Sequence, residues 1–102
     1  MTNRRVEIIV GNETHIAHIT VYQRPQNTAI QTYDSEGAPY CKVTTNPIYV
    51  LPAGVVALRD DYEMVIGETR DALIKAGVIE LIEPRQQIRL GYTTATLYRV
   101  LD

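Results

Sequence analysis

The chain has 102 residues, 45% hydrophobic and 22% charged, which suits one domain with its own core and excludes a chain disordered throughout. Ten Lys and Arg against twelve Asp and Glu leave a net charge of -2, neither the basic excess of a nucleic-acid binder nor the acidic excess of a DNA mimic. The single cysteine, Cys41, excludes an internal disulfide.

Val, Ile and Thr make up 32 of the 102 residues. Such β-branched side chains lose rotamer freedom in helices and pack well on pleated sheets, so a sheet-dominated fold is expected. All seven aromatic residues are Tyr, which leaves the core to Ile, Val and Leu. The basic start Met1-Thr2-Asn3-Arg4-Arg5 resembles the head of a signal peptide, but Glu7 and Gly11 interrupt the apolar run behind it. No stretch approaches the ~18 apolar residues of a membrane span. The expectation is a cytoplasmic, unprocessed single domain over 1–102.

In chain order, residues 5–10 and 15–22 read as a hairpin around Gly11-Asn12-Glu13-Thr14. A four-residue loop sets Val10 opposite His15, Ile8 opposite Ala17 and Val6 opposite Ile19, with Glu7 opposite His18 on the other face. Arg24-Pro25-Gln26-Asn27 ends the second strand. Residues 28–33 and 40–45 form a second hairpin, with Thr32 facing Cys41, Ile30 facing Val43 and Tyr33 facing Tyr40. Ile30, Val43 and Cys41 then share the core face. Tyr33, Tyr40, Gln31 and Lys42 share the outer one.

Pro47 and Pro52 bracket Ile48-Tyr49-Val50 as an edge segment or crossing loop, followed by a short buried strand at Val55–Leu58. From about Asp61 to Ala76, the residues Tyr62, Val65, Ile66, Thr69, Ala72, Leu73 and Ala76 form a helical stripe. Asp60 is placed to cap that helix with Glu63, Asp71 to pair with Lys75, and Gly77 to stop it. Gly67 in its middle implies close backbone packing. Val78–Ile82 is a strand, and residues 87–101 are one long bent strand or two short ones, with Gly91 at a bulge or bend. The class is α+β, a predominantly antiparallel sheet built from hairpins with one amphipathic helix (61–76) on one face.

The chemistry-bearing residues do not assemble into a known motif. His15 and His18 are three apart on a strand and point to opposite faces, so one metal ion cannot meet both. Cys41 lies on the core face without a nucleophile signature, which favours an inert, small hydrophobe over a catalytic thiol. Asp34, Glu36, Asp60 and Asp61 sit where turns and caps ordinarily place carboxylates. No Gly-rich loop offers a phosphate cradle. The reading is therefore no catalytic residue, no metal and no cofactor, with an enzyme the less favoured class. Arg85, Arg89 and Arg99 gather late in the chain with Tyr92 and Tyr98, a set that would serve RNA or a protein partner. The net charge favours protein.

Ala38-Pro39-Tyr40-Cys41-Lys42-Val43-Thr44-Thr45-Asn46, the helix ending in Ala76-Gly77-Val78, and the closing Gly91-Tyr92-Thr93-Thr94-Ala95-Thr96-Leu97-Tyr98-Arg99-Val100 together resemble one group. It comprises small uncharacterised bacterial proteins carried on plasmids, phages and other mobile elements. The likeness covers roughly residues 38–101, and it implies a mobile-element accessory protein with no catalytic residues to carry over. Two readings follow. The first is a non-enzymatic module acting by protein–protein interaction or self-association through Tyr33, Tyr40 and Lys42. The second is a small-molecule-binding domain or enzyme with a pocket between helix and sheet, at His15, Cys41 and Tyr62.

Overall fold

The computed structural model describes residues 3–101, so Met1 and Thr2 of the basic start lie outside the described residues. The fold is α+β. Strands β1 (Arg4–Val10), β2 (Glu13–Val21), β3 (Thr28–Tyr33) and β4 (Pro39–Lys42) form an antiparallel meander in chain order. In the second sheet β8 (Thr93–Val100) is central. β5 (Val55–Arg59) pairs along one side of it, while β6 (Ile79–Leu81) and β7 (Gln87–Leu90) pair with successive stretches of β8. Between β5 and β6 come a 3-10 turn, Asp60–Tyr62, and the helix α1, Glu63–Lys75.

The first hairpin turns more tightly than its sequence reading. Gly11 has a φ of 65°, open to glycine without a Cβ clash, so Gly11-Asn12 alone makes the turn. Val10 therefore faces Glu13, Ile8 faces His15 and Val6 faces Ala17, while Glu7 lies opposite Ile16 and His18 opposite Arg5. A two-residue slip leaves each side chain on its own face. Ile8, Val10, His15, Ala17 and Ile19 all remain buried.

In the second hairpin Thr32 faces Cys41 as expected, and the Val43 N–H donates to the Ile30 carbonyl at 3.0 Å. A register irregularity at Thr32 and Tyr33 sets Tyr33 opposite Pro39 instead of Tyr40. Tyr40 instead meets His15, with ring centroids 4.4 Å apart and planes at 68°. The Tyr33–Tyr40 pair is thus replaced by an edge-to-face contact between β4 and β2.

One core joins Ile8, Ala17, Ile19 and Ile30 to Ile66 and Leu73 of α1 and to Val56, Leu58 and Ile79 of the second sheet. A second cluster, with Val55, Ala57, Ala95 and Leu97, is closed by Leu51 and Ile82. Sheet two is therefore buried on both faces, which explains the unbroken apolar run Val55-Val56-Ala57-Leu58. The segment between Pro47 and Pro52 is a crossing loop, and Ile48 at its tip is 95% exposed.

The helix buries Ile66, Thr69, Ala72 and Leu73, whereas Tyr62, Val65 and Ala76 of the expected stripe are exposed. In its first turn Met64 is 98% and Val65 69% exposed, while Ile66 is buried. No side-chain cap bond forms at its start. Asp60 turns to β8 instead, Glu63 pairs with Arg70 at 2.6 Å, and Asp71 pairs with Arg70 at 3.1 Å rather than with Lys75. The C-terminus closes as the sequence implies. Gly77 takes a φ of 76°, its N–H donates to Ile74, and the Val78 N–H donates to Leu73.

Residues 87–100 form a hairpin, not a bent strand, with Gly91 (φ 62°) and Tyr92 as the two-residue turn. Among the described residues no helix is long and apolar enough to cross a membrane, and Cys41 is a free thiol.

Candidate functional site

The two sheets are joined where the chain leaves β4. The Thr45 N–H donates to the Ala57 carbonyl at 2.8 Å, an isolated bridge to β5. At Thr44 the β3 ladder is completed by a side chain, since Thr44 Oγ1 accepts the Ile30 N–H at 3.1 Å. Beyond this crossing β4 and the end of β5 diverge. Between them opens a cleft of about 470 Å³.

Cys41, Val43 and Thr44 line one wall, and Arg59, Tyr62 and Val65 the other. Tyr22, Tyr40, Lys42 and Asn46 complete the lining. Tyr22 is fixed by two contacts to Thr44, donating its hydroxyl to the Thr44 carbonyl and sharing a second bond with Oγ1, both at 2.9 Å. Burial pushes the Tyr22 hydroxyl's pKa up, and the Thr44 bond only partly opposes this. Arg59 grips Asp61 through two bonds of 3.0 and 2.7 Å, and its guanidinium lies 4.1 Å from the centre of the Tyr62 ring. The Asp61 carboxylate is held below its usual range chiefly by that arginine.

Asn27 and Asn46 hold the far end of the crossing. Asn27 Nδ2 donates to Asn46 Oδ1 at 2.9 Å and to the Tyr49 carbonyl at 3.0 Å, while its Oδ1 accepts the Leu51 N–H at 2.7 Å. Asn46 Nδ2 donates to the carbonyls of Arg24 and Pro25, both at 3.2 Å. These bonds satisfy backbone groups of an irregular loop.

The structure merges the two groups of residues singled out in the sequence. Tyr40 and Lys42 line the same cleft as Cys41 and Tyr62. Tyr33 and His15 do not. Tyr33 is half-buried opposite Ile16 and Pro39. His15 is buried behind Tyr40, with Nε2 3.0 Å from Glu13 Oε1 and Nδ1 without a partner among the described residues. His18 sits on the opposite face of β2, 2.6 Å from Asn3 Oδ1.

Among the described residues no nucleophile–base pair faces the cleft. Cys41 Sγ lies 4.0 Å from the Val65 carbonyl, and burial raises its pKa, only partly opposed by the Thr69 side chain. Among the described residues no three His, Cys, Asp or Glu side chains gather as metal ligands. Nor do the late arginines and tyrosines share one surface. Tyr98 is buried, Arg99 pairs with Glu80 at 3.4 Å, Arg85 bonds Thr96 at 3.1 Å, and Tyr92 stands at the hairpin tip.

The chain matches no family model, no curated protein and no solved structure.

Nothing in the local sequence pattern marks Tyr22, Arg59 and Asn46 as site residues. Their signal lay in tertiary contacts, because Tyr22 and Asn46 reach partners 21 or 22 positions away.

Proposed function

We propose that this protein is a non-enzymatic binding module that holds a protein partner in the cleft between β4 and the start of α1. The observation that carries this reading is the convergence of three tyrosines, Arg59 and Lys42 on one open cleft. Tyr and Arg supply much of the energy at protein interfaces because each combines a large apolar surface with a polar tip. The exposed Met64 and Val65 extend the apolar surface beside Tyr62. Apolar side chains that water meets so fully in a first helical turn are well placed to be covered by a partner.

The resemblance to mobile-element proteins gives this reading its setting. A bacterial accessory protein in the cytoplasm would act by occupying a host component. The test is capture from bacterial lysate with the wild-type chain and with a Tyr40→Ala/Tyr62→Ala variant whose fold is checked by circular dichroism. The wild type is expected to retain a stoichiometric second protein that the variant loses. Equal capture by both, or a small-molecule adduct in the cleft by native mass spectrometry, would overturn it.

A further inference from the structure

We infer that the cleft receives its partner as an extended peptide, added as a strand to the open edge of β4 and presenting a carboxylate to Lys42. This rests on the reading of the cleft as a partner site and names the form the partner takes there.

The backbone provides the first argument. β4 ends the order β1-β2-β3-β4, so among the described residues one edge of it is without a neighbouring strand. The Val43 N–H is directed to Ile30 in β3. Because backbone groups alternate along a strand, the N–H and carbonyl of Lys42 point the other way, to the free edge. Residues 40–43 of β4 and its continuation line the cleft together with Tyr62 and Val65. A strand placed there would gain ladder bonds on one side and apolar walls on the other. At about 470 Å³ the cleft is within the range that holds a small ligand or a short peptide segment.

Charge supplies the second argument. Arg59 already holds Asp61, but Lys42 makes no salt bridge among the described residues. A lone lysine on an open edge discourages pairing with an apolar or basic strand and favours one bearing Asp or Glu opposite it. The rim thus selects by charge while the backbone binds without regard to side chain. The other edge strand of this sheet, β1, borders a groove lined by Glu7, Ile9 and Lys75, where opposite charges are already present together.

The experiment uses the full chain and a random displayed library of nine-residue peptides. Enriched sequences are expected to alternate β-branched with other residues, to carry Asp or Glu, and to lack central Pro. A synthetic peptide from that pool should shift the Lys42 amide resonance and slow its hydrogen exchange. N-methylation at the peptide positions facing β4 should weaken binding about tenfold, the value of one hydrogen bond, while methylation of the intervening positions should not. Lys42→Glu should turn the preference to peptides carrying Lys or Arg. Strand addition is overturned if both sets of N-methylated peptides bind equally, if the enriched peptides are amphipathic helices, or if none enrich. Loss of lysate capture by the Tyr40→Ala/Tyr62→Ala variant, alongside any of these results, would leave the cleft reading standing and only its strand form rejected.

Discussion

The Asp60 carboxylate accepts a hydrogen bond from the Thr96 hydroxyl at 2.6 Å, across 36 positions of sequence. The same carboxylate takes bonds from Thr94 at 2.5 Å and Gln87 at 2.8 Å, with Arg85 3.8 Å away. One side chain therefore ties the turn before α1 to both strands of the β7–β8 hairpin. A position that looks like a helix cap is a tertiary anchor.

Burial pushes the Asp60 pKa up, but the Thr94 and Thr96 hydroxyls, the Gln87 amide and Arg85 together bring it below the usual carboxylate range. A carboxylate with a depressed folded value stabilises the fold above its unfolded pKa of about 3.9, and this contribution is lost as pH falls through the folded value. Asp60→Asn replaces one acceptor oxygen by a donor facing other donors, so it should cost about 1–3 kcal/mol at pH 7. Urea unfolding at pH 7 and pH 3 checks this. The gap between wild type and variant should narrow at the lower pH, and a gap of unchanged size would refute the linkage.

Much of the architecture is legible in the local pattern. β-branched alternation marks the hairpins, and the core face of the first hairpin is correct even though the β1–β2 register slips by two, because a slip of two conserves every face, whereas the irregularity in the second hairpin takes Tyr40 from Tyr33 to His15. The helix and its Gly77 stop are legible for the same reason, since both depend on neighbours in sequence. What the pattern cannot convey is which part of the apolar stripe meets the sheet. Tyr62 and Val65 continue the periodicity but stay exposed and line the cleft, a placement set by tertiary contacts. The cleft inherits this limit, because its walls come from segments some twenty residues apart.

Gly67 is buried within α1, yet the atoms a Cβ would meet belong to the helix's own side chains, not to a neighbouring backbone. Glu63 Oε2 would lie 2.6 Å away and Arg70 Nη2 3.7 Å away. Gly67→Ala should gain about 1 kcal/mol in helix propensity but displace the mobile end of Glu63 from its pair with Arg70. The two effects oppose, and the single substitution should change stability little. In a Glu63→Ala background the same change should stabilise by the full propensity, about 1 kcal/mol. A double-mutant cycle by urea unfolding measures it, and an equal effect in both backgrounds would place the constraint elsewhere.

Cys41 lines the cleft but is only 5% exposed, and burial raises the pKa of its thiol. A thiol that stays protonated and covered is a poor nucleophile. The folded protein at pH 8 should resist a thiol-specific disulfide reagent over the time in which the urea-unfolded chain reacts completely. Rapid labelling of the folded chain would instead reveal a reactive cysteine and return weight to an enzyme.

His15 supports the cleft from behind. Its ring meets Tyr40 edge to face, its Nε2 bonds Glu13, and its buried Nδ1 has no partner among the described residues. A buried polar atom left unpaired costs about 1–3 kcal/mol, whereas the Glu13 bond lies at an exposed carboxylate and returns less. His15→Phe keeps a ring against Tyr40 and removes the unpaired nitrogen, so it should raise stability by about 1 kcal/mol. His15→Ala leaves a cavity in its place and should cost about 2–4 kcal/mol by analogy with other large-to-small core changes. Without a ring behind it, Tyr40 loses its edge-to-face contact, so the Ala variant should also bind its partner more weakly. The Phe variant should bind as the wild type does. If His15→Phe is less stable than the wild type, the Glu13 bond outweighs the buried nitrogen, and if both variants bind equally well, Tyr40 is held in place by something other than His15.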